Sequence, residues 1–150
     1  MAQIKQTVGT RTALTVTGLS TLANTTYVVS SAYNCTTNQP LDVIVEVAVA
    51  TTNTPLAWNK QMLVFIQESL DGTNYRSGPT SGTTTTDEPN LKFIGSLPVN
   101  STSTTELATF SVAQALGYVP AYFKVVIKNE TGLTLTSGTV YTAEVQSVVV

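Results

Sequence analysis

Histidine is absent from the 150 residues, and cysteine occurs once. The chain therefore lacks the commonest general base and the commonest zinc ligand. A single thiol, Cys35 in YNCTTN, excludes an intramolecular disulfide, so the apolar core must carry the stability. With no activating neighbour in its segment, Cys35 reads as an inert small residue or a surface thiol, not a nucleophile. Charge is scarce as well: charged residues make up 11% of the chain, where ~25% is usual. Seven scattered Lys and Arg form no basic stripe, which argues against nucleic-acid binding by phosphate neutralisation. No stretch approaches the ~18 apolar residues of a membrane span, and no apolar run follows MAQIK as a secretory signal requires. The expectation is synthesis in a cytoplasm, no membrane partner and no cofactor.

What is present is threonine and alternation. Threonine dominates the polar fraction; its β-branch suits pleated surfaces and its hydroxyl keeps them wettable without charge. A surface so poor in charge associates readily, which suggests that much of it is covered in use. Period-two patterning predicts strands at TRTALTV, NTTYVVSSAY, LDVIVEVAVA, QMLVFIQESL, LKFIGSL, TELATFSV, AYFKVVIKN and TVYTAEVQSVVV. In the third, Leu41, Val43, Val45, Val47 and Val49 share a face that should be core. In the seventh, Phe123, Val125 and Ile127 oppose Lys124 and Lys128. Asp71-Gly72, Thr131-Gly132 and Ser137-Gly138 read as turns, and Pro40, Pro55, Pro89 and Pro98 as junctions. Ser111 to Pro120 predicts one short helix, capped by Ser111 and ended at Gly117.

Eight or nine strands with long crossing connections predict an all-β antiparallel sandwich of the jelly-roll kind, with an immunoglobulin-like Greek key as the runner-up. Residues 13–150 form the single domain; residues 1–12 read as an N-terminal arm. That arm and the apolar end of AEVQSVVV, with Val148 and Val149, either add to a neighbour's sheet or close their own sandwich.

The longest unstructured stretch runs from Ser69 to Asn90, nearly neutral and rich in Gly, Ser, Thr and Pro. Asp87-Glu88 is its one adjacent acid pair, and in extended chain adjacent side chains point apart, so it makes a poor acid–base couple. LDGTNY lacks the alternating acidic ladder of a calcium loop and reads as a hairpin turn. Trp58 and Tyr27, Tyr33, Tyr75, Tyr118, Tyr122 and Tyr141 offer stacking rings for a sugar, but they are dispersed; Trp58 in PLAWNKQ is the candidate a carbohydrate-binding module would use.

VFIQESLDGTNY followed by AYFKVVIKNETG resembles the strand, Asp-Gly hairpin and later strand of discoidin-like jelly-rolls, with Tyr75 in the place of an aromatic that packs back on the sheet. More closely, Leu63 to Val145 resembles small structural proteins of tailed bacteriophages. That resemblance implies a virion component made in the host bacterial cytoplasm, and a head decoration or cement protein ahead of a tail, neck or fibre part. The implied partners are the major capsid protein or other virion proteins and copies of the chain itself, a trimer being favoured. Such families have no fixed catalytic motif, so no enzymatic activity is expected. On this reading Ser77, Gly78, Thr83, Thr84, Thr85 and Thr86 meet a partner through hydroxyls and backbone amides without buried charge.

Overall fold

Valine at every second position leaves Asp42–Thr51 little choice but a strand buried on one face, and Val43, Val45, Val47 and Val49 are indeed fully buried. In a computed structural model of the chain, which describes residues 3–52, 60–100 and 104–149, this is the fifth of ten strands. The others are β1 (Ile4–Val8), β2 (Thr12–Leu14), β3 (Tyr27–Val29), β4 (Tyr33–Asn34), β6 (Gln61–Ser69), β7 (Lys92–Pro98), β8 (Glu106–Ser111), β9 (Tyr122–Glu130) and β10 (Leu135–Val149). They form two antiparallel sheets. One runs β1-β10-β5-β8, with β2 continuing the line of β1 along β10; the other runs β3-β9-β6-β7, with β4 beside β9.

That order is a jelly-roll. Strands near in sequence alternate between sheets, and the last strand lies between the first and the middle of the chain. An immunoglobulin-like order, which keeps the first two strands in one sheet beside the fourth and fifth, is not what forms. Between the sheets β5 packs against Met62, Val64 and Ile66 of β6 and Phe123, Val125 and Ile127 of β9, closed at the ends by Leu19, Leu135 and Val112. Burying each such side chain stabilises by roughly 1.5–3 kcal/mol, so this layer carries most of the fold.

The short helix, α1 (Val112–Leu116), sits where the sequence places it. Ser111 Oγ accepts the Gln114 amide at 2.9 Å, and Gly117 ends the helix with φ 81°. Asp42 ties it to β5 by accepting from Ser111 Oγ at 2.5 Å and from the Ala113 amide at 2.8 Å.

Several expectations need correction. Leu41 lies outside β5 and is half exposed, because the strand pairing begins at Asp42 opposite Val145. NTTYVVSSAY is two strands, not one: the Ser30 amide still donates to the Val125 carbonyl, but the Val125 amide donates to the Ser30 hydroxyl, which in turn donates to the Ser31 carbonyl. Ser137-Gly138 is no turn but part of β10, beside a register shift between Leu135 and Ser137; a Cβ on Gly138 would lie 2.5 Å from Leu19 Cγ. Of the two courses open to the residue 1–12 arm, its strand takes the one within its own chain, Ile4–Val8 against Val145–Val149. Pro55 lies outside the described residues.

Candidate functional site

The long Ser69–Asn90 segment is a cover for the outer face of the second sheet. That face carries Tyr27, Phe65 and Val126, all buried, and Leu91 at the end of the segment seals them. Three fastenings hold it. At the start, the Asp71 carboxylate accepts the amides of Thr73 at 2.8 Å and Asn74 at 2.7 Å, the Asn74 side-chain amide at 2.7 Å and the Ser69 hydroxyl at 3.0 Å. Those donors hold it well below the usual carboxylate range, and they make LDGTNY the hairpin turn that the sequence predicts. In the middle, the Tyr27 amide donates to the Gly82 carbonyl at 3.0 Å. Near the end, Glu88 accepts from Tyr27 Oη and from Lys128 Nζ, the latter at 2.9 Å.

The adjacent acids do separate: Glu88 turns inward while Asp87 stays exposed. Burial pulls the Lys128 ammonium down, but its bonds to Glu88, Glu130 and Tyr27 outweigh that and hold it above its ordinary value. Glu88 is pushed up by burial and, more strongly, down by Tyr27 and Lys128, ending below its ordinary value. The Tyr27 hydroxyl is raised by burial and by donating to Glu88. The face of β9 that reads as the lysine side is thus an internal one.

On this base the sequence-predicted contact residues fall in two places. Ser77 is exposed, its hydroxyl accepting from the Asn90 amide at 2.9 Å; Gly78 is half buried, with Leu91 so close that a Cβ would sit 2.4 Å from Cδ2. Thr83, Thr84, Thr85 and Thr86 are all exposed along the segment's crest. Val148 and Val149 are exposed too, but on the other sheet, at the free end of β10. The structure does not bring the two groups into one site. Trp58 lies outside the described residues.

The remaining aromatics mostly serve the fold. Tyr33 stacks on Phe123 with centroids 5.1 Å apart, and burial together with Glu144 pushes its hydroxyl up to about 12. Tyr75 returns to pair with Ser69 and lies under Lys124, whose Nζ is 4.0 Å from the ring centre, in keeping with an aromatic that packs back on the sheet. Arg11 Cζ stands 3.2 Å over Tyr141 and is bound by Glu46. Cys35 is buried in the core, not on the surface, and burial pushes its thiol up to about 12.

Tyr118 is different. It is half exposed beside a cleft of about 580 Å³ lined by Glu68, Leu70, Asp71, Asn74, Arg76 and Pro120. Arg76 Nε donates to Glu68 Oε1 at 3.0 Å, and Tyr118 Oη donates to Glu68 Oε2. Burial raises Glu68, yet these donors leave it below its ordinary value. Sequence reasoning named Tyr118 only as one of several dispersed rings and missed the trio, because Tyr118 reaches the Glu68–Arg76 pair only through the fold; the Asp-Gly hairpin that joins the pair was its one local signal.

Fold and surface together define the class: an antiparallel jelly-roll with few charges, among them the ion pairs of Arg11 with Glu46, Arg76 with Glu68 and Lys128 with Glu88, and with an exposed loop crest of neutral hydroxyl and backbone. No protein-family model matches the chain, and comparison with curated proteins finds no match. Among the described residues no helix is long and apolar enough to cross a membrane.

Proposed function

We propose that the protein is a structural component of a tailed-bacteriophage virion, a decoration protein that lies on the capsid exterior and bridges neighbouring capsid subunits. The observation that carries this reading is the Thr83–Thr86 crest, exposed and uncharged on a segment fastened at Asp71, Gly82 and Glu88. A crest held this way meets a partner without stripping water from unpaired charge and with little ordering cost. Charge is scarce in the chain, and pairing of Arg11 with Glu46, Arg76 with Glu68 and Lys128 with Glu88 lowers further what can oppose close packing on a lattice.

The test is a copy count on purified particles, with and without the double variant Thr83→Lys, Thr85→Lys. A decoration protein is present at on the order of hundreds of copies, as lattice symmetry requires, and the variant lowers its occupancy and the particle's resistance to heat. About a dozen copies or fewer moves the chain to tail, neck or fibre. Absence from particles overturns the reading.

A carbohydrate-binding module is the second reading, favoured by the Tyr118 cleft, where a half-exposed ring stands beside hydrogen-bonding Glu68, Asn74 and Arg76. Glycan binding lost in Tyr118→Ala supports it; no glycan retained by the wild type on a broad array removes it.

A further inference from the structure

Several of the described sheet edges are guarded, each in a different way. On the β3 side the Gly82 carbonyl already takes the Tyr27 amide. On the other side of that sheet β7 is broken by a register shift opposite Val64 and Phe65 and ends in Pro98. β8 lies against β7 across the sandwich, where a Cβ on Gly95 would meet the Phe110 ring at 2.5 Å. These are the usual devices that stop strands from recruiting others. β1 has none of these, its one charge being Lys5: five residues in continuous register, no proline, no bulge, and no described residue hydrogen-bonded along its outer edge.

Which groups face that edge follows from the ladder. The Gly9 amide donates to Glu144 O at 2.8 Å, so by antiparallel alternation Thr7 and Lys5 also direct their backbone groups to β10. Ile4, Gln6 and Val8 therefore point their amides and carbonyls outward. Their side chains share the outer sheet face with Val145, Ser147 and Val149. Ile4 is 75% exposed, Val8 68% and Val149 68%, a costly display for a two-stranded ribbon in water.

We propose that β1 pairs antiparallel with β1 of a second copy of this chain, about a two-fold axis through Gln6. The sequence of the strand, IKQTV, is self-complementary in that register. Ile4 falls opposite Val8 of the second copy, Lys5 opposite Thr7, and Gln6 opposite Gln6, so no like charges meet. Every outward amide and carbonyl of Ile4, Gln6 and Val8 then has a partner. Together with the pairing inside each chain, the rows become Val149, Ile4, Val8 and Val145, running apolar across both copies. The contact is isologous and gives a dimer, not the trimer that the phage resemblance implies.

Sedimentation of the purified chain tests this without any particle, so its outcome is separate from that of the virion reading. The expected species has twice the chain mass. Gln6→Pro removes an outward amide and leaves the ladder to β10 intact, and should return the protein to the monomer with unchanged circular dichroism. Gln6→Cys should form a disulfide-linked dimer on mild oxidation, because hydrogen-bonded antiparallel partners have Cα atoms about 5.5 Å apart, inside the roughly 4.4–6.8 Å that a disulfide spans. Buried Cys35 does not compete. A wild type that stays monomeric at high concentration overturns the proposal. So does an oligomer in which Gln6→Cys fails to cross-link, even if Gln6→Pro proves unable to fold.

Discussion

Asn129 carries more hydrogen bonds than any position near it. Fully buried, it donates to the Leu22 carbonyl at 2.9 Å and the Leu133 carbonyl at 2.8 Å and accepts from the Thr131 amide and hydroxyl. Asn129→Leu is similar in size but leaves the Thr131 amide unpaired, at about 1–3 kcal/mol, and removes one of two donors from each carbonyl, Leu22 keeping the Leu135 amide and Leu133 the Thr131 hydroxyl. Urea unfolding should show a loss of at least ~2 kcal/mol; a loss below half of that would mean that water replaces the side chain. Gly138→Ala tests a different cause. The added methyl has nowhere to go but into Leu19, so a destabilisation of about 1–3 kcal/mol is expected, relieved in the double variant with Leu19→Ala compared with Leu19→Ala alone. Neither role shows in the sequence: a glycine between threonine and serine looks like a turn, and an asparagine in VVIKNETG looks like a strand end.

At the scale of elements, legibility follows periodicity. β5 and β9 carry core residues at alternate positions, Val43 to Val49 in one and Phe123, Val125 and Ile127 in the other, and both were readable to within a residue or two. α1 was readable because its cap, Ser111, and its stop, Gly117, are local. β6 departs from simple alternation: Met62 to Ile66 is an unbroken apolar run, because Leu63 and Phe65 lie beneath the Ser69–Asn90 cover. The cover has no period of its own, and its fastenings to Tyr27 and Lys128 span the chain. Composition alone suggests that Gly78 to Thr86 could be removed freely; the Gly82 bond to Tyr27 and the fit of Gly78 on Leu91 argue otherwise. Deletion of that stretch should expose Phe65 and Val126, lower the thermal midpoint by several degrees and increase dye binding to apolar surface. An unchanged midpoint would mean that Leu91 alone seals the sheet. Of the contact residues read from sequence, the crest threonines and Val148 and Val149 proved exposed, while the Tyr118 cleft and the open β1 edge emerged only once strands were placed beside one another.

For the molecule as a whole, the pH response is set by what does not titrate. Glu68, Glu88 and Asp71 are depressed in the fold, so their contribution is present above their unfolded values near about 4 and is lost as pH falls through the folded ones. Lys128 and Tyr27 are raised, so theirs is present below about 10 and is lost as pH rises through the folded values. No histidine lies between. Stability should be level from about pH 5 to about pH 8. Above about 8.5 the unfolded thiol ionises while buried Cys35, pushed up to about 12, does not, so stability begins to fall. Urea midpoints across that range check this, and Cys35→Ala should remove the first part of the alkaline slope. The course of β10 has a mechanical consequence. Its fifteen residues run from beside Leu19 to the tip where Val149 meets Ile4, a span of about 50 Å. A pull applied between Ile4 and Val149 opens the ribbon like a zipper, one bond at a time and at low force. A pull between Val149 and Thr51, at opposite ends of two paired strands, instead loads the β5–β10 ladder in shear, so the same molecule is weak along one axis and tough along another.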